Sequence, residues 1–249
     1  MQKSSKSLVR LIIFSSIFFI AISNVYSGDD SDSKINFLQK RMSEIFPTIK
    51  YDKIKKTPVE NIYEIHYGGE IVYVTGDGGH IFESGNLQKI EKEGEKFVFT
   101  NLTEVSAAQG RKNLLNKIPD SKLFVYGDSK KNYINVVTDI DCPYCRKFHE
   151  DIPIYLKNNI KVRYLVFAIK TSAKKKVISA WCSLDRNKSF SLLKNEEKIK
   201  SMNCKNPISE HQELISSIGV GSTPSIFLPD GSLILGYMSP EEIIEKIKN

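Results

Sequence analysis

The segment YINVVTDIDCPYCRKFHE, residues 133–150, constrains this chain more than any other. A β-branched apolar run passes through two acids into a Cys-x-x-Cys pair that opens a helix-like stretch. The run predicts a buried strand and the stretch behind it a helix. Cys142 then falls at a helix N-terminus, where unpaired N–H groups and the helix dipole favour an anion. Because the thiolate is the attacking species in disulfide exchange, this placement makes Cys142 the nucleophile and the better leaving group. Cys145, one turn further in and more covered, is placed to attack back on Cys142. Pro143 suits an early helical position by its fixed φ and missing donor. Tyr144 is expected beside the reacting sulfur, offering an apolar surface. Asp139 and Asp141 are expected to pull the other way, since a nearby carboxylate disfavours a thiolate.

Other chemistries for the pair need ligands that the chain does not space correctly. The remaining cysteines, Cys182 and Cys204, form no second Cys-x-x-Cys for zinc or an iron–sulfur cluster, and Arg146 stands where c-type haem attachment needs histidine. No metal and no cofactor is therefore expected. The plain reading of Cys182 and Cys204 is a structural disulfide worth about 3 kcal/mol through restriction of the unfolded chain; a second active pair is the alternative. Trp181, next to Cys182, reads as packing, and His149 as a surface or packing residue. In GSTPSIF, Pro224 directly precedes a strand, where the fold can hold its peptide bond cis. Set next to the dithiol, it would expose the backbone of Thr223 for an extended client to align by strand-like hydrogen bonds.

The N-terminus addresses the chain for export. Lys3, Lys6 and Arg10 precede the run LIIFSSIFFIAI, which is shorter than the roughly 20 residues that cross a bilayer. Small residues follow, so residues 1–27 read as a signal peptide cleaved after Ser23 or, preferably, after Ser27, with an uncleaved anchor as the alternative. Cleavage at the later site lowers the formal net charge from +7 to +4, which argues against nucleic acid as a partner. The basic stretch KTSAKKK reads as a solvated helix face. An even cysteine number in an exported chain fits disulfide chemistry.

Downstream of the signal the pattern divides in two. Residues 28–100 combine a short helix from Ile35, ended by Pro47, with strand-like runs separated by GG and GDGG turns. A module of this size without cysteines is marginal alone and gains stability by pairing with a second copy. Residues 101–118 form a connecting helix with Gly110 as its weak point and Pro119 as its stop. From 119 to 249 the order is strand, helix, strand, helical block, hairpin and helix, a thioredoxin-like succession carrying a helical insertion. Ser239, Pro240 and Glu242 mark the start of the last helix.

The motifs YVTGDGGHIF, VVTDIDCPYCRKFHE and GSTPSIFLPDGSLILGY, with the late cysteine pair, resemble the periplasmic thiol:disulfide interchange proteins of the DsbC/DsbG family over nearly the whole mature chain. That resemblance implies a periplasmic V-shaped homodimer: an α+β dimerisation domain at 28–100, a linker helix at 101–118, and an α/β thioredoxin-like catalytic domain at 119–249. Cys142 would attack wrong disulfides, Cys145 would resolve, and Thr223 with cis Pro224 would flank the dithiol. Misfolded or oxidised exported proteins would be the clients, a membrane thiol reductase of the DsbD type would keep the pair reduced, and the apolar cleft would give chaperone activity. CPYC is similar to the DsbG branch, whereas Cys182 and Cys204 resemble the structural disulfide of the DsbC side. A disulfide isomerase or reductase is the leading expectation. A dithiol oxidase and a client-holding chaperone with an incidental redox pair are its rivals.

Overall fold

The computed structural model describes residues 30–67 and 69–248. The signal peptide expected at residues 1–27 and its cleavage site lie outside the described residues. Among the described residues, no helix is long and apolar enough to cross a membrane.

The first module opens with helix α1 (Asp30–Ile45). It begins before Ile35, where apolar periodicity sets in, because the polar segment ahead of that stripe also favours a helix start; Asp32 lies in its first turn, where a carboxylate complements the dipole. Strands β1 (Lys53–Lys56), β2 (Ile62–Tyr67), β3 (Glu70–Thr75) and β4 (Ile81–Phe82) follow as an antiparallel sheet in chain order. The β3–β4 turn is closed by Asp77 Oδ1, which accepts from Gly79 N at 2.9 Å, and Gly78 takes the positive φ there. One face of the sheet packs Ile54, Tyr63, Ile65, Val72 and Val74 against Leu38 and Met42, neighbours one turn apart on α1. Strands β5 (Gln88–Glu93) and β6 (Lys96–Asn101) form a separate ribbon.

Helix α2 (Leu102–Asn116) starts where the Asn101 side chain accepts from Glu104 N at 3.0 Å. It touches both halves of the molecule. Toward the first module, Tyr73 and Thr103 hydroxyls meet at 2.5 Å, and Ser106 Oγ donates to Glu64 Oε1 at 2.6 Å while accepting from Lys55 Nζ at 2.7 Å. Toward the second, Leu115 enters an apolar cluster, and Arg111 Nε donates to the Gly231 carbonyl at 3.0 Å. Gly231 has φ +92°, and a Cβ there would lie 2.0 Å from the Ala108 carbonyl oxygen, so the helix approaches as closely as glycine permits.

The second module is built on β7 (Phe124–Tyr126), β8 (Tyr133–Thr138), β9 (Lys161–Val166), β10 (Ser225–Phe227) and β11 (Leu233–Leu235), in the order β11-β10-β8-β9-β7. Within this sheet only β8 and β9 are parallel, joined across α3 (Pro143–Glu150) and α4 (Ile152–Lys157). Side chains alternate between faces: Ile134, Val136, Val162, Tyr164 and Val166 enter one core, and Val137 and Leu165 the other. Both faces are covered, which explains why β8 reads as a continuous apolar run. Helices α5 (Thr171–Trp181), α6 (Arg186–Lys194) and α7 (Ile208–Ser217) make up the block between β9 and β10, and α8 (Pro240–Lys248) closes the chain. Cys182 and Cys204 are bonded to each other. Trp181 packs edge-on to Phe124, with the Arg186 guanidinium over its ring.

Candidate active site

Strand β8 delivers the chain to the site at Thr138, and Cys142 caps α3 with extended backbone angles while Pro143 takes the first helical position. The Cys142 carbonyl accepts from the N–H groups of Cys145 and Arg146, both at 3.1 Å, which fixes the two cysteines on successive turns. Both are free. Cys142 is half-buried and Cys145 fully enclosed, while Tyr144 between them is 63% exposed.

Across from α3, the Thr223–Pro224 peptide is cis, and the Cys142 thiol lies 3.4 Å from the Thr223 carbonyl oxygen. The loop before β10 thus brings Thr223 and Pro224, remote in sequence, onto the dithiol. Burial pushes the Cys142 thiol up, but hydrogen bonding with Thr223 and with the backbone of Cys145 and Tyr144 outweighs it, and its pKa is lowered. For Cys145 burial wins, and its pKa is raised. The two thiols of one motif are therefore driven apart by their surroundings.

The two acids do not oppose Cys142 in the way their position in the sequence suggests. Asp139 is buried and turned back on its own loop, accepting from the N–H of Asp141 at 3.0 Å and of Ile169 at 3.2 Å. Asp141 faces Lys170, with 3.8 Å between their charged atoms. Asp139 therefore braces the loop, and Asp141 has a cation beside it.

His149 lies on the inner face of α3, hydrogen-bonded to the Tyr164 hydroxyl at 3.2 Å and to Ser191 Oγ at 2.9 Å. Burial, with the nearby Lys194 charge, lowers its pKa to about 3. It is a neutral packing residue. Lys194 itself is unexpected: it is 2% exposed, and its Nζ donates to Thr138 Oγ1 at 2.5 Å and to the Asp139 carbonyl at 2.9 Å. No local signal marks it, because LLK near the end of an amphipathic helix reads as an ordinary solvated terminus. The packing of α6 over the end of β8 turns it inward.

A two-cysteine helix N-terminus facing a cis-proline loop, on a five-stranded sheet covered on both faces, defines a thioredoxin-fold thiol–disulfide oxidoreductase. The model of the disulfide bond isomerase protein N-terminal domain matches residues 27–104, and that of the thioredoxin-like domain matches 120–249. The thiol:disulfide interchange protein DsbC of Dickeya dadantii is 29% identical over 241 residues, 94% of this chain and 93% of that one. DsbC of Escherichia coli K12 is 30% identical over 203 residues, 79% of this chain and 81% of that one. The solved disulfide interchange protein of Neisseria gonorrhoeae covers 53% of this chain and 99% of its own at 24% identity, with a TM-score of 0.47. The chain belongs to the DsbC family of thiol:disulfide interchange proteins. It is accordingly a periplasmic enzyme of the thiol–disulfide isomerase and reductase class, with a dimerisation-capable first module and protein clients in the periplasm.

Proposed function

We propose that Cys142 is the nucleophile toward non-native protein disulfides and Cys145 the resolving thiol. The observation that carries this is the division between a half-buried, acidified Cys142 at a helix N-terminus and an enclosed Cys145 whose thiol burial protects from ionising. The Cys142 thiolate attacks one sulfur of a client disulfide; that S–S bond breaks, a mixed disulfide forms, and the other client sulfur leaves as a thiolate. From there the reaction divides. A client thiolate that attacks the mixed disulfide expels Cys142 unchanged, and the client is isomerised. If Cys145 attacks Cys142 instead, the client is reduced by two electrons and the pair is oxidised by two. Tyr144, Thr223 and Pro224 form the client platform, the Tyr144 ring being exposed and the Thr223 carbonyl oxygen lying 3.4 Å from the Cys142 sulfur.

The same reading assigns 1–27 as the signal peptide, 28–100 as the dimerisation domain, 101–118 as the linker helix and 119–249 as the catalytic domain of a homodimer. The Cys182–Cys204 bond anchors the helical insertion and takes no part in exchange. Misfolded or wrongly oxidised exported proteins are the clients, and a membrane thiol reductase of the DsbD type returns the pair to its dithiol form. Reactivation of a scrambled multi-disulfide client by the purified protein tests the reading. Cys142→Ala should abolish it, and the wild-type rate should reach half its maximum below the ordinary thiol pKa of about 8.5. Activity retained in Cys142→Ala would refute the assignment.

A further inference from the structure

Lys194 is a cation that the fold encloses without an obvious structural need. Taking an ammonium out of water is costly unless something answers its charge, yet both acceptors of its hydrogen bonds are neutral oxygens. Around the Nζ lie the rings of Phe190 at 5.3 Å and Tyr164 at 5.7 Å. Thr138 Oγ1 lies 2.5 Å from Nζ at the end of β8, where the chain enters the active site, and the Lys194 charge and the Thr138 side chain both favour the Cys145 thiolate against the effect of burial. Cys145 has a matching difficulty: it must ionise to attack Cys142, and it is fully buried away from any base in solvent.

We propose that Thr138 and Lys194 form a proton relay that makes the enclosed Cys145 thiol reactive, with Lys194 as a positioning residue supplied by the helical insertion. The inference rests on the roles given above to Cys142 and Cys145. In the mixed disulfide, Cys145 Sγ–H donates to Thr138 Oγ1, and the Thr138 O–H donates to the neutral amine of Lys194. The S–H bond breaks as a new O–H bond forms, and the original Thr138 O–H breaks as an N–H bond forms on Lys194. The Cys145 thiolate then attacks Cys142 Sγ, and the bond from Cys142 to the client sulfur breaks. That sulfur leaves as a thiolate and takes a proton from solvent. Lys194, its anionic partner consumed, returns its proton to solvent. The client disulfide has gained two electrons and the cysteine pair has lost two.

The electrostatics agree with this geometry. Burial lowers the Lys194 pKa to about 8, against the raising effect of Cys145 and Asp139, so the amine can lose and regain a proton near neutral pH. Among the groups that oppose the upward push of burial on Cys145, the Lys194 charge comes first. The other groups acting on this amine are Cys142 and Arg146 from α3. His149 on α3 is buried and neutral, with its pKa near 3, and burial holds the Tyr164 phenol on β9 far above its ordinary range. None of these replaces Lys194 as the acceptor. The helical insertion thus serves the chemistry directly, since α6 carries Lys194 beneath the dithiol and the Cys182–Cys204 bond ties down the segments on either side of that helix.

The relay is tested on the reduced full-length protein with dithiobis(nitrobenzoate), an aromatic disulfide. Attack by Cys142 releases a first coloured thiolate, and attack by Cys145 on the mixed disulfide releases a second. Lys194→Met and Thr138→Val should each slow the second release by about tenfold or more at neutral pH and move its pH midpoint upward, as loss of a positioned proton acceptor requires. The first release should change by less than about threefold, because Cys142 draws its acidity from the helix start and the Thr223 loop. Thr138→Ser keeps the hydroxyl and should restore the second release. An unchanged second release in both variants, or a parallel fall of both releases, would overturn the relay; should Lys194→Met fail to fold, the Thr138→Val and Thr138→Ser pair decides alone. Cys142→Ser tests the underlying reading separately: it should lose both releases, and a surviving one would sink the role of Cys142 rather than the relay.

Discussion

The two modules bury their side chains in different ways. In the first, α1 closes a small apolar core on one face of a four-stranded sheet while α2 meets Lys55, Glu64 and Tyr73 through hydrogen bonds, and the β5–β6 ribbon leaves Ile90, Phe97 and Phe99 at least 60% exposed. The second encloses a five-stranded sheet between two apolar clusters, with Phe124, Phe148, Tyr155, Tyr164, Phe190 and Phe227 fully buried. A thiol pair needs sulfur positions held within fractions of an ångström, and the two-sided core supplies that rigidity. The one-sided module keeps apolar surface that a partner can cover, as expected of a dimerisation-capable domain.

Phe227→Ala gives the largest expected effect, because deleting a fully buried aromatic leaves a cavity costing about 3–5 kcal/mol. The chain has one tryptophan, Trp181, in the second module, so its fluorescence reports unfolding there. Hydrogen exchange in β2 and β3 should hardly change; equal loss in both would show that α2 fuses the modules into one cooperative unit. Acid should separate them next. His149 has a folded pKa of about 3 against an unfolded value near 6.5, so its stabilising contribution is complete above pH 6.5 and is lost as pH falls toward 3. In the first module burial pushes Glu64 up, but hydrogen bonds from His66, Lys55 and Ser106 win and bring it to about 2. Its contribution is complete above its unfolded pKa of about 4.3 and is lost only as pH falls through 2. Each shift is worth on the order of a few kcal/mol. Trp181 fluorescence should therefore respond at a higher pH than exchange in β2 and β3, and the reverse order would break the comparison.

Much of this is legible in the sequence because it is written locally. The β8 run, Pro143 at the first turn and the α8 start, where Ser239 Oγ donates to Glu242 Oε2 at 2.6 Å, each depend on neighbours within a few residues. Thr223 and Pro224 are recognisable because a proline before a strand, downstream of a Cys-x-x-Cys, has a restricted meaning. The direction in which Asp139 turns is not legible, because adjacency in sequence does not orient a carboxylate, and its partners include Ile169, beyond β9. Lys194 escapes the sequence for the same reason: its burial is decided by Thr138 and Phe190, which the chain alone does not place around it.

The smallest expected effect bears on the pairing proposed for residues 28–100. If a second copy covers the apolar surface of the first module, the folded state of that module binds its partner and the unfolded state does not. Mass action then makes its stability rise by about 1.4 kcal/mol for each tenfold increase in protein concentration, per dimer unfolded. The second module, whose core is complete within one chain, carries no such term. Hydrogen exchange in β2 and β3 should slow as concentration rises, while the local opening of β8 and β9 should stay constant over the same range. The contrast separates two origins of stability that a single melting temperature would merge. Concentration-independent exchange in β2 and β3, with a monomer mass in solution, would place the stability of the first module within its own small core and its contacts with α2.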